Sequence, residues 1–134
     1  ATWSDERAAS MRYIARAYEN KGNGQEAERW LYRAIGEAPY LREPYMDLAH
    51  FYYRQQNWFG IIHMARNALR IEKRSMSYIN EPSSWGIAPY DLLSLAFYWV
   101  GLYDKALEAI DKAIAMAPDN KRLQKNRDWI KAKL

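Results

Sequence analysis

The chain has 134 residues, 49% hydrophobic and 27% charged, the size and balance of one soluble globular domain with room for a sizeable core. It holds no cysteine and two histidines, which excludes disulfides, thiolate catalysis and cysteine-held metals and leaves little for acid–base chemistry. The net charge of +4 resides in residues 119–134, where six bases meet two acids; residues 1–118 balance 14 bases against 14 acids, so no basic stripe suited to nucleic acid crosses the body. No apolar run approaches the roughly 20 residues of a membrane span.

The N-terminus reads Ala1-Thr2-Trp3-Ser4-Asp5-Glu6, with acids where a signal peptide would place bases, and it lacks an initiator methionine. The expectation is a segment of a longer protein working in a reducing, cytoplasmic compartment. From Ala8 onward the chain repeats itself. Ile14-Ala15-Arg16-Ala17-Tyr18 recurs 34 residues later as Leu48-Ala49-His50-Phe51-Tyr52, and Leu31-Tyr32-Arg33-Ala34-Ile35 as Ala65-Arg66-Asn67-Ala68-Leu69. A third copy follows after a further 45 residues, as Leu93-Ser94-Leu95-Ala96-Phe97 and Ile110-Asp111-Lys112-Ala113-Ile114. Each copy reads as two helices. Gly22 and Gly101 fall where the first must stop and turn, and Pro39 and Pro118 where the second ends. The expected repeats are about 8–41, 42–75 and 87–120, within a single domain of residues 1–134.

Residues 76–86 form an insert between the second and third copies. Pro82, Ser83, Ser84 and Gly86 are loop signals, whereas Tyr78, Ile79 and Trp85 suit a partly packed loop. Tyr78 and Trp85 are its candidate contacts, either to the hairpins or to a partner. The final stretch, 120–134, opens on Asp119 or Asn120 as N-cap and spaces Leu123, Ile130 and Leu134 helically among charges, which predicts a capping helix.

A 34-residue period with small residues at fixed places resembles the tetratricopeptide repeat family along the whole chain. Counted from Ala8, Arg42 and Ile87, the large fourth residue is Met11, Tyr45 and Tyr90, and the apolar seventh is Ile14, Leu48 and Leu93. The small eighth is Ala15, Ala49 and Ser94, and the aromatic eleventh is Tyr18, Tyr52 and Phe97. In the second helices the small twentieth residue is Ala27 and Ala106, with Ile61 departing, and the twenty-seventh is Ala34, Ala68 and Ala113. The closing proline is Pro39 and Pro118, with Lys73 departing. The resemblance implies an all-α fold, a right-handed superhelical stack of three helix-turn-helix hairpins plus a C-terminal capping helix. Small residues let helices approach, large ones fill the space around them, and neighbouring hairpins cover each other's apolar faces.

In that family the first helix of each repeat lines a concave groove. The resemblance points inward Arg12, Tyr13, Arg16, Glu19 and Asn20, then Met46, Asp47, His50, Tyr53 and Arg54, then Asp91, Leu92, Leu95, Tyr98 and Trp99. Leu92, Leu95 and Trp99 are also candidates for contact with the insert or cap. Arginines and aromatics suit an interface. The expected partner is a protein or peptide, a neighbouring domain, or a second copy of the chain meeting through Trp3 and Trp129. One subset of the family grips the C-terminal carboxylate of chaperone peptides with lysines and asparagines. That set is not reproduced, because Arg16 stands for an asparagine and Asp47 brings negative charge.

No glycine-rich phosphate loop, paired-histidine helix or serine elbow occurs. His50 and His63 fall on different helices, so no metal site is expected, and Asp47 near His50 reads as a surface pair. No catalytic residue and no cofactor are implied. A narrower resemblance rests on Tyr78-Ile79-Asn80-Glu81, Trp85-Gly86, Pro89-Tyr90-Asp91-Leu92-Leu93 and Arg42-Glu43-Pro44-Tyr45. These look like the repeat region that follows the catalytic domain in some bacterial and phage family 2 glycosyltransferases. That resemblance implies a non-catalytic scaffold, the C-terminal part of a sugar-transferring enzyme, mediating association or acceptor recruitment. The alternative is a free-standing adaptor that binds an extended peptide in its groove. A third assignment gives Trp99, Tyr53 and the arginines a part in a sugar-acceptor site.

Overall fold

The computed structural model describes residues 2–74 and 81–134. Along the described chain run α1 (Thr2–Asn20), α2 (Gly24–Glu37), α3 (Arg42–Arg54), α4 (Trp58–Leu69), the short α5 (Pro82–Trp85), α6 (Ala88–Trp99), α7 (Tyr103–Met116) and α8 (Lys121–Lys131), with no strand among the described residues. Three antiparallel hairpins, α1–α2, α3–α4 and α6–α7, stack through α2 on α3 and α4 on α6, and α8 closes the stack against α7.

The reason for the stack lies in its smallest side chains. Ala15, Ala49, Ser94, Ala34, Ala68 and Ala113 are all 2% exposed or less, so backbones meet where a larger residue would hold them apart. Around them, Leu31, Leu48, Phe51, Ile61, Leu93, Phe97, Ile110, Leu123 and Ile130 join into one continuous core. Ala8, Ala34, Ala38 and Leu41 make a smaller cluster at the start of α1.

The helix–helix turns share one geometry. Gly22 and Gly101 have φ of 81° and 82°, and the matching residue of the middle hairpin is Gln56, at φ 57°. Asn23, Asn57 and Asn120 cap α2, α4 and α8, their side-chain oxygens accepting from the backbone N–H of Glu26, Gly60 and Leu123. Ile61, the large residue at a small place, is fully buried, and the close approach shifts to its neighbour: a Cβ on Gly60 would lie 2.7 Å from the Tyr52 ring. At the Lys73 departure, α4 stops at Leu69, earlier in its repeat than α2 (Glu37) and α7 (Met116), and the chain leaves into the insert.

Two expectations for apolar positions are corrected. Ile14 is 38% exposed although Leu48 and Leu93, its counterparts, are buried. Helices α3 and α6 each have the second helix of a preceding hairpin against them; α1 has none among the described residues. Leu134 is 60% exposed because α8 ends at Lys131, before Leu134 can return to the packed face.

The insert is tied down at its base. The Arg42 guanidinium donates to the Ile71 carbonyl on one side (2.7 Å) and the Ser84 carbonyl on the other (3.2 Å). It also lies 4.0 Å from the Trp85 ring centroid, with Arg74 at 5.2 Å. Glu43, 1% exposed, accepts from the backbone N–H of Glu81 (2.9 Å) and the Trp85 indole N–H (3.2 Å). Trp85 thus tucks against the hairpins, half-buried, and Glu81 is delivered to the concave side. Tyr78, the other candidate contact, lies outside the described residues.

Candidate functional site

Helices α1 and α3 form the floor of a concave cavity of about 640 Å³ lined by Arg12, Arg16, Glu19, Asn20, Asp47, His50, Arg54 and Glu81. A second lobe of about 480 Å³, lined by Glu6, Ser10, Tyr13 and others, shares Arg12, Arg16 and Glu81 with the first, so the two lobes form one trough.

Charge in the trough is organised by ion pairs between neighbouring first helices. Arg12 on α1 donates through Nε to Asp47 Oδ2 (2.6 Å) and through Nη2 to Asp47 Oδ1 (3.2 Å) and Glu81 Oε1 (2.7 Å). Arg12 is 6% exposed. Burial, the largest single influence, works against its charge, but the hydrogen bonds and charges of Asp47 and then Glu81 more than offset it, and its pKa lies above the ordinary arginine value. Arg54 on α3 makes a two-pronged pair with Glu19 on α1 (2.5 and 2.7 Å). On the third hairpin Asp91 is held by Arg122 of α8 (2.6 and 3.1 Å). The pairs Arg12–Asp47 and Glu19–Arg54 both span 35 residues. One repeat plus one residue places opposite charges side by side on successive first helices.

Every acid lining the main cavity is therefore engaged, and so are two of its three arginines. Arg16 has no ion pair among the described residues; its guanidinium lies 5.7 Å from the ring centroid of Tyr13, which is 69% exposed. Asn20 is exposed beside it, and His50 is half-buried on the opposite wall. Burial, ahead of the opposing charge of Asp47, lowers the His50 pKa below 6.5, so the imidazole enters neutral chemistry uncharged. What the trough can do is bind: a cation outside these ion pairs, an amide, a neutral imidazole and an aromatic face line it, with the paired charges stiffening the walls.

The other groove candidates divide. Tyr53 is 44% exposed and Trp99 58%. They are joined through Trp58, which stands edge-on to Tyr53 (6.5 Å) and stacks on Trp99 (5.8 Å, 15°). Tyr98 packs edge-on against Trp99 (5.6 Å, 89°). Met46 is a correction: it is 2% exposed, because it turns into the core beneath α3. Leu92 is likewise buried, and Asp91 is spent on Arg122 rather than free to meet a ligand. Sequence reasoning placed neither Glu81 nor Arg122 in the site, although opposite charges recurring at an interval of 35 foretell the two α1–α3 pairs. Among the described residues no group of three or more His, Asp or Glu is placed to hold a metal, and no helix is long and apolar enough to cross a membrane.

Residues 7–36, the first hairpin, match the tetratricopeptide repeat family. No match to a curated protein was found. Among solved structures the chain resembles the Arabidopsis OM64 TPR domain, with a TM-score of 0.79 at 14% identity, covering 98% of this chain and 99% of that one. It also resembles the first TPR of Spaghetti (RPAP3), solved bound to the HSP90 peptide SRMEEVD, with a TM-score of 0.78 at 15% identity and coverage of 96% and 93%. The chain thus has the fold of a tetratricopeptide repeat domain, with the match to that family's model confined to residues 7–36.

Proposed function

We propose that this chain is a non-catalytic interaction module whose trough takes an extended peptide segment of a partner protein. The observation that carries this reading is Arg16, an accessible cation with no ion pair among the described residues, set between Tyr13, Asn20 and His50 in a trough whose other two arginines are held by Asp47, Glu81 and Glu19. A carboxylate of the partner would meet Arg16 without displacing an existing pair, and the peptide's backbone amides would meet Asn20 and His50. That a domain of similar fold was solved with a peptide bound supports the class of ligand.

The test is an array of extended peptides with and without acidic residues, probed with the wild-type chain and with Arg16→Glu. The expected result is capture of acidic peptides that falls by about tenfold or more on charge reversal, with helicity and melting temperature unchanged. Equal capture by both proteins would move the site away from the trough. Arg12 is unsuitable for this test, since its loss would leave Asp47 without its partner in a largely buried place.

The narrower reading makes the module the C-terminal part of a glycosyltransferase, the same trough then holding a protein or acceptor for the enzyme. Its support is the sequence resemblance around Trp85-Gly86 and Pro89-Tyr90-Asp91. The residues encoded upstream of Ala1 decide it, a nucleotide-sugar-binding domain supporting the assignment and a start codon removing it.

A further inference from the structure

At the far end of the stack, where α8 crosses α6, a separate cleft of about 180 Å³ is lined chiefly by Leu95, Tyr98, Trp99, Asn126, Trp129 and Ile130. That is below the roughly 300–1,000 Å³ of a small-molecule site and suits one large side chain. Its two indoles are each 58% exposed, an unusual amount of aromatic surface to leave in water on both sides of one cleft. Trp99 is held in place by Trp58 and Tyr98, so the wall is rigid before anything binds. The row Tyr53–Trp58–Trp99 leads from the sequence neighbour of Arg54, which lines the trough, to Trp99, which lines the cleft.

Charge identifies the occupant. Helix α8 carries Lys121, Arg122, Lys125, Arg127 and Lys131 against the one acid Asp128. Arg122 and Arg127 are paired with Asp91 and Asp111. Lys125 has no carboxylate partner among the described residues, and its Nζ lies 5.8 Å from the ring centroid of Trp129, which lines the cleft. An apolar slot with a positive rim fits an aromatic or branched side chain flanked by acids.

We propose that the α6–α8 cleft is an anchor site for the aromatic side chain of an acidic peptide, continuing the trough toward the C-terminal end of the stack. The proposal rests on the reading that the trough takes a peptide, and it adds which side chain is read and where. Asn126 is the polar group positioned to meet the backbone of the anchored residue, and Lys125 meets the acids beside it.

The test is an NMR titration of the whole chain, following the indole N–H signals, with an amidated Glu-Asp-Phe-Asp-Glu peptide. The Trp99 and Trp129 signals should shift saturably, about tenfold more weakly for the same peptide with alanine at the centre. Trp129→Ala, followed at the Trp99 signal, and Lys125→Glu should each weaken binding by about fivefold or more. Unmoved Trp99 and Trp129 signals would overturn the proposal, as would equal shifts with a Lys-Arg-Phe-Arg-Lys peptide or unchanged binding by the two cleft variants. Shifts that appear on concentrating the protein alone would assign the cleft to a second copy, and shifts with maltose to a sugar ring; either overturns it. Peptide binding that depends on Arg16 but never moves Trp129 would sink the cleft and leave the trough standing.

Discussion

At the scale of single residues, the middle hairpin carries two local exceptions with opposite consequences. Gln56 occupies the positive-φ place that Gly22 and Gly101 fill elsewhere, and a Cβ there is strained. Gln56→Gly is expected to raise stability by about 0.5–1 kcal/mol, after the larger entropy of glycine in the unfolded chain is counted, as measured by urea unfolding. Gly60→Ala should do the reverse, because its Cβ would fall 2.7 Å from Tyr52 and 2.8 Å from Asn57. Tyr52 cannot give way easily: its ring is 6% exposed and its hydroxyl is bonded to Glu28 and Tyr32. The expected loss is about 1–3 kcal/mol. His50 makes stability depend on pH. Its folded pKa is depressed by burial, so below 6.5 the unfolded chain binds a proton that the folded chain refuses, and stability falls as pH drops from 7 through that value toward the folded pKa. His50→Gln should flatten the dependence of the denaturation midpoint between about pH 7 and 5.

At the scale of elements, the insert base shows how an irregular segment becomes part of a regular stack. A long connection between α4 and α6 would leave backbone groups unsatisfied where it meets the hairpins. Arg42 answers this by bonding a carbonyl at each end of the excursion while its flat cation covers Trp85. Arg42→Leu should keep the packing volume but free both carbonyls, at a cost of about 1–3 kcal/mol. Hydrogen exchange at the Ser84 and Gly86 amides should accelerate, while α1 and α2 stay protected. Uniform loss of protection along the chain would mean that Arg42 supports the whole stack and not the insert alone.

At the scale of the molecule, stability is shared between neighbours, since among the described residues each hairpin packs chiefly against the adjacent ones. Helix α8 is polar on its outer face and buries Leu123 and Ile130 on the other, which is what the end of such a stack requires. Leu123→Ala should cost about 2–4 kcal/mol, and exchange should rise first in α8 and α7 and last in α1 and α2. Simultaneous opening of all hairpins would show a single cooperative unit instead.

Taken by itself, the sequence determined the helices, their pairing and their stacking. These follow from residue size and backbone freedom at repeated places: alanine or serine where helices touch, glycine at the turn, asparagine at the cap. Such requirements are local and survive any small rotation of a helix. Only the tertiary structure decided which groove residues are available. Met46 turned inward, Ile14 lay at an edge uncovered among the described residues, Arg12 was consumed by Asp47 and Glu81, and Arg16 was left with no ion pair among the described residues. Those outcomes depend on how far each first helix is rotated and how far a long side chain reaches toward its neighbour. Helical periodicity constrains the apolar stripe that is buried and leaves that rotation loosely specified for the polar residues at its margins.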